Sequence, residues 1–206
     1  MSAVTSTPKV IRFKRSTTEQ PTLYTVDQYF KREEKSKSKN HFINGEIIKI
    51  AGASFNHNKI ATNVLVGFAN RIKKLREKYH ALNSDQKVYI PSKKSFLYPD
   101  ALVISGQPEY WEDRKDTITN PLIIVEVLSD ATEKFDFFQK FYLYREIPTF
   151  QEYIIVSQKQ EAIEQWYKSG ENTWTKSNVD SKYGVLKIKS IDIEIPLSEV
   201  YDDIEF

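Results

Sequence analysis

Two carboxylates stand where carboxylates are expensive. Asp100 lies in Phe96-Leu97-Tyr98-Pro99-Asp100-Ala101-Leu102-Val103-Ile104, and Glu126 in Leu122-Ile123-Ile124-Val125-Glu126-Val127-Leu128. An ionised carboxylate among β-branched residues must be paired, and a divalent cation is the usual partner. If the two runs are neighbouring strands, both acids can point at one spot and hold one metal. The chemistry open to such a pair is that of a Lewis acid and an activated water.

Each acid also has an ordinary reading. Pro99 breaks the ladder donor pattern, so Asp100 marks a strand edge or a bulge, where sheets often re-aim side chains; an edge turn explains it equally. Alternation from Leu122 puts Leu122, Ile124 and Glu126 on one face, and Ile123, Val125 and Val127 on the other. A buried glutamate there needs a cation, a metal or a proton, and a structural salt bridge meets that need as well as a catalytic site does. Lys134 and Lys140 flank an apolar stripe formed by Phe137, Phe141 and Tyr144. Either can lay its stem over apolar surface and aim its ammonium at the acids, or reach water. His57 and Asn58 stand among capping residues at the start of a helix, where they line the site or serve only in capping and local hydrogen bonds. The chain has 3 histidines, too few for a multi-histidine metal site to be expected. Asp85, just ahead of a strand, reads as a turn residue.

The elements that must position these groups follow from pattern. Residues 1–20, rich in Ser, Thr and scattered bases, read as a flexible tail, with one domain over 21–206. A short helix is expected over Leu23–Phe30 with Thr25 as its N-cap, then a solvated charged connection over Lys31–Asn40. His41–Ile50 is a hairpin, because Asn44-Gly45 supplies the positive φ angles of a type I′ turn. Ile60, Val64, Phe68 and Ile72 predict a helix from about Lys59 to Lys78, with Arg71, Lys73, Lys74, Arg76 and Lys78 crowding its last half. Strands are expected at 86–90, 97–104 and 122–128, the last buried on both faces. A helix over 131–146 capped by Ser129 or Asp130 and closed by Pro148 comes next, then a strand over 152–156. Segments 165–167, 185–188 and 191–195 read as antiparallel additions. The fold class is α/β (α+β).

Composition narrows the classes. Net charge is +2, from 30 Lys and Arg against 28 Asp and Glu, which does not advertise nucleic-acid binding but allows a local basic face. The absence of cysteine excludes disulfides, thiolate zinc and a cysteine nucleophile. No membrane-spanning stretch and no signal-peptide apolar region are read, so a cytoplasmic protein is expected.

Tyr-Pro-Asp, then Val-Glu-Val-Leu-Ser, then Lys-Phe-x-Leu-Tyr-Arg resemble the Uma-type family of restriction endonucleases, within the PD-(D/E)XK nuclease superfamily. The resemblance extends to Tyr24-Thr25-Val26, Asn44-Gly45-Glu46-Ile47, Ala53-Ser54-Phe55-Asn56-His57-Asn58 and Ile147-Pro148, covering about 23–156. It implies a restriction-endonuclease-like core, a mixed central sheet flanked by helices and extended by the N-terminal hairpin and the C-terminal strands. It implies Mg²⁺ (with Mn²⁺ as a substitute) held by Asp100, Glu126 and the backbone carbonyl of Val127, and Lys140 orienting water or stabilising charge during DNA hydrolysis. Glu46 matches a family glutamate and lines the site or merely ends the turn. Two departures stand out: Leu128 occupies the position where the wider superfamily carries its lysine, and Phe137-Phe138 replaces a common Arg-Gly. Two readings therefore stay open, a metal-dependent DNA endonuclease and a catalytically inactive nucleic-acid-binding module on the same scaffold. Duplex cleavage is easiest for a two-fold dimer, so a homodimer is expected, with the apolar C-terminal strands as its interface.

Overall fold

Hairpin chemistry and capping set the first third of the chain. The computed structural model describes residues 22–75, 77–128, 139–180 and 183–206. Helix α1 spans Val26–Glu33, and Thr25 and Gln28 bond reciprocally across its first turn. Strands β1 (Asn40–Ile43) and β2 (Glu46–Lys49) pair antiparallel around Asn44 (φ 50°) and Gly45 (φ 89°). Helix α2 spans Phe55–Ile72, earlier at both ends than the apolar period suggested. Ser54 accepts the His57 N–H and starts it; Tyr79 and its neighbours are recruited to a sheet and end it.

Two six-stranded sheets follow. The first has the order β12-β11-β10-β9-β6-β3, from β3 (Tyr79–Asn83), β6 (Ala101–Ser105), β9 (Pro121–Leu128), β10 (Glu152–Ser157), β11 (Ile163–Gly170) and β12 (Thr173–Val179). It is mixed: β9 and β10 are parallel, the other pairs antiparallel. The second has the order β2-β1-β5-β4-β8-β7, with β4 (Lys87–Ile90), β5 (Ser95–Leu97), β7 (Tyr110–Trp111) and β8 (Arg114–Ile118). The N-terminal hairpin therefore belongs to a second sheet rather than extending the core sheet. Strands β3, β7, β8 and β12 are short or polar on one side and gave no expectation from pattern.

The run expected as one strand over 97–104 is two. β5 ends at Leu97 in the second sheet and β6 begins at Ala101 in the first; Tyr98-Pro99-Asp100 is the corner between them, where the missing proline N–H makes a ladder residue unavailable. Leu122 also departs from expectation. It packs with the α2-side cluster, next to the register slip between Val103 and Ile104, while Ile124 faces the other way.

Three apolar layers hold the assembly. Ile60, Val64 and Phe68 of α2 pack on Val103, Ile123, Val125 and Val127. The hairpin β13 (Val185–Ile188) and β14 (Ile193–Pro196), followed by α4 (Leu197–Val200), closes the same layer. Gly67 lets it approach, since a Cβ there would stand 3.2 Å from Ile195 Cγ2. A second layer joins the two sheets and includes Phe141 and Tyr144 of α3 (Phe141–Tyr144). Tyr29, Phe30, Phe42 and Phe96 form the third, under α1. The tail over 1–20, the earlier part of the helix expected over 131–146, Lys134, Phe137 and Arg76 lie outside the described residues. No helix among the described residues is long and apolar enough to cross a membrane.

Candidate functional site

Pro99 decides what Asp100 does. In β6 and β9, Ala101 stands opposite Val125. The Gly106 N–H donates to the Lys78 carbonyl at 2.7 Å, which fixes the parity: Leu102 and Ile104 bond toward β3, Ala101 and Val103 toward β9. Continuing the β6–β9 register by one residue sets Asp100 opposite Glu126, and by two sets Pro99 opposite Val127. Proline offers no N–H, so the Val127 carbonyl receives no ladder donor from position 99. The Val127 N–H donates to Asp100 Oδ2 at 2.7 Å.

Glu126 is 1% exposed, on the face shared with Ile124 and turned toward the second sheet. Two groups from consecutive turns of one helix meet it. The Lys140 ammonium lies 2.8 Å from Oε2, and the Tyr144 hydroxyl donates to Oε1 at 3.0 Å. Residues four apart on a helix share a face, so one short helical segment delivers both. Replacing Tyr144 with phenylalanine removes a bond to a buried carboxylate while keeping the ring. The expected loss is about 1.5–3 kcal/mol, read as a lowered urea midpoint at unchanged m-value.

Asp100 has a partner of its own. His57, in the first turn of α2, places Nε2 3.3 Å from Asp100 Oδ2. Burial alone pushes the Asp100 carboxyl up. The His57 hydrogen bond and charge, the Lys140 ammonium and the Val127 N–H together hold it below the usual carboxylate range. Lys140 thus bonds to one acid and acts electrostatically on the other.

His41 completes the surroundings and was not singled out in the sequence. It is buried on β1, and its Nδ1 accepts the Tyr98 N–H at 3.3 Å. Burial first, and then the positive Lys140, hold it well below the ordinary histidine value, so it is neutral with its proton on Nε2. The sequence signal was a polar residue alternating with Ile43 on an inward hairpin face. Glu46, half-buried at the start of β2 opposite Ile43, faces the same way as His41. Asn58 is exposed on α2, beyond the residue that reaches Asp100. Asp85 is a turn residue bonded to Lys39.

The donors present fit a hard divalent cation. They are oxygens, two carboxylates and a backbone carbonyl at the ends of β9 and β6. Among the described residues no cluster of three or more His, Cys, Asp or Glu forms a closed cage. Mg²⁺ in general is often held by one or two carboxylates and keeps several waters.

Residues 26–197 match the Uma2 family model, described as "Putative restriction endonuclease". Two Synechocystis sp. proteins, each described as uncharacterized, are similar along nearly their whole length. The protein sll1609 is 36% identical over 174 residues, 81% of this chain and 96% of that protein. The protein slr1290 is 30% identical over 182 residues, 87% of this chain and 92% of that protein. A crystal structure from Anabaena variabilis, described as a putative nuclease belonging to DUF820, superimposes with a TM-score of 0.69 at 14% identity, over 86% of this chain and 97% of that one. At that identity the likeness shows a common fold.

Proposed function

This chain belongs to the Uma2 family of putative restriction endonucleases, and from that premise we propose that it hydrolyses DNA phosphodiester bonds with a divalent cation. The observation that carries the reading is the convergence of Asp100, Glu126 and Lys140. A buried ammonium bonds to Glu126 and acts electrostatically on Asp100, and Asp100 accepts the N–H of the residue after Glu126. Asp100, Glu126 and the Val127 carbonyl are the ligands in this reading. Mg²⁺, or Mn²⁺ in its place, supplies positive charge at the scissile phosphate and a more acidic bound water. Lys140 gives a fixed donor directed at the same spot, suited to orienting the attacking water or to stabilising charge on phosphorus. Held against Glu126 Oε2 at 2.8 Å, Lys140 is given the part of donor rather than base in this reading. His57 and Tyr144 hold the two carboxylates in place, the role of partners behind ligating groups.

One residue favours a second reading, a scaffold that binds nucleic acid without cutting it. Position 128 is a leucine packed against the inter-sheet layer rather than a lysine. A supercoiled-plasmid assay separates the two. Nicking that requires Mg²⁺ or Mn²⁺ and stops with EDTA is the expected result. DNA binding without cleavage, across both metals and both single- and double-stranded substrates, overturns the nuclease reading in favour of the module.

A further inference from the structure

The segment from the last turn of α1 to the start of β1 holds more positive charge than the whole chain nets. Residues 31–39 read Lys-Arg-Glu-Glu-Lys-Ser-Lys-Ser-Lys, five cations against two acids, in a protein whose net charge is +2. Both acids are engaged within the fold. Glu33 accepts the Asn40 N–H at 3.0 Å, the Asn40 side-chain amide at 2.8 Å and the Tyr98 hydroxyl at 3.0 Å. Glu34 pairs with Arg114 at 3.0 Å. Among the cations, Lys39 is held by Asp85 at 2.8 Å, and the Arg32 guanidinium lies 5.0 Å from the centre of the Tyr24 ring. Lys31, Lys35 and Lys37 are exposed and form no ion pair among the described residues.

The helix dipole accounts for Lys31 and Arg32 in the last turn of α1, but Lys35 and Lys37 lie past the helix end. Lys31, Arg32 and Lys35 edge a hollow of about 450 Å³. Lys37 and Lys39 edge a second, where Lys87, Arg114 and Asp116 also lie. Glu33 and Ser36 border both, so the two hollows adjoin. Tyr98 lines the second and leads to the site. Its hydroxyl bonds to Glu33 and its N–H to His41, and the corner residue Asp100 follows two positions later, a span of at most about 7 Å of chain. The other basic run, at the end of α2, lacks this placement. Arg71 is taken by Glu199, and Lys73 and Lys74 stand roughly 25 Å along the helix from His57.

We propose that residues 31–39 hold the phosphate backbone of DNA beside the site, through Lys31, Lys35 and Lys37. The identity of the polyanion rests on the nuclease reading, while the contact itself needs no metal. Such contacts position a nucleic acid without reading its sequence.

Two full-length triple variants remove equal charge: Lys31→Gln with Lys35→Gln and Lys37→Gln at the proposed surface, and Lys73→Gln with Lys74→Gln and Lys78→Gln at the far end of α2. All six lysines are exposed, so both chains are expected to fold as wild type does. Affinity for a labelled DNA duplex is read by fluorescence anisotropy in EDTA over a range of salt. The first variant is expected to bind about tenfold or more weakly at about 0.1 M salt, and its plot of log K against log salt to be shallower by about 0.9 for each phosphate lost. The second is expected to match wild type. Wild type that does not bind DNA, a first variant with wild-type affinity and slope, or equal losses in both variants overturns the proposal. So does binding through these lysines to phosphatidylserine vesicles but not to DNA. Plasmid nicking keeps the two readings apart: a wild type that binds DNA through this surface without nicking in Mg²⁺ or Mn²⁺ ends the nuclease reading alone, and nicking by a first variant that binds as wild type does ends this proposal alone.

Discussion

Lys140→Met is expected to remove about 3–5 kcal/mol of stability and the nuclease activity together, and adding Glu126→Gln to return most of the first but none of the second. Glu126 is 1% exposed and Lys140 4%, so neither charge has water to fall back on. Removing the ammonium leaves a carboxylate in an apolar layer with its bonded cation gone, and a hydroxyl such as that of Tyr144 does not replace a counter-charge. Glu126→Gln removes the charge and keeps an oxygen for Tyr144, so the double variant has nothing ionised to bury there. Its activity should stay absent, because the proposed site then lacks both a ligand and its cationic donor. Urea denaturation of the four combinations gives the coupling energy, and plasmid nicking gives the activity. Full activity in a stable Lys140→Met chain would remove Lys140 from the mechanism and leave it a structural partner of Glu126.

The same residues show where sequence reading reached and where it stopped. The apolar run around Glu126 gave a central strand, and Asn44-Gly45 gave the hairpin, because each signal is local and strong. The span around Asp100 misled in a specific way. Its hydrophobic residues serve two different sheets, and apolarity does not say which neighbour a strand chooses. What did carry the information was Pro99, whose missing N–H ends one ladder; next to it Asp100 accepts the Val127 N–H. His41 stayed unnoticed because its role depends on Tyr98, 57 residues away, and no periodicity encodes that meeting. Tyr144 was read as a packing residue from its stripe, and the ring does pack; its hydroxyl acquires a purpose only once Lys140, one turn earlier, is seen to reach the same glutamate. Glu152 is a parallel case. It is fully buried at the start of β10 and accepts bonds from Lys189, Ser190 and Gln165. A buried acid can thus tie a segment down as readily as it can hold a metal, and only its partners distinguish the two.

Asp100→Asn is expected to leave the fold nearly unchanged and to lower activity and divalent-cation affinity by more than the roughly 10–100-fold that marks loss of a partner behind a metal ligand. Asparagine keeps an oxygen for the Val127 N–H, so the corner between β5 and β6 retains its closing bond. A bond to a charged group is worth about 1 kcal/mol more than a neutral one, and that is the stability change expected at neutral pH. The pH dependence carries the sign of the interaction. Asp100 is held below the ordinary carboxylate range in the fold, against about 3.9 in an unfolded chain. Its contribution is therefore full above that unfolded value and is lost as pH falls through the folded one. The stability gap between wild type and Asp100→Asn should be flat near neutrality and narrow below about pH 4. Mn²⁺ titration of both proteins reads the affinity, and equal Mn²⁺ binding by the two would take Asp100 out of the metal site. Its bonds to His57 and Val127 would then be the whole of its role, the closing of the corner between β5 and β6.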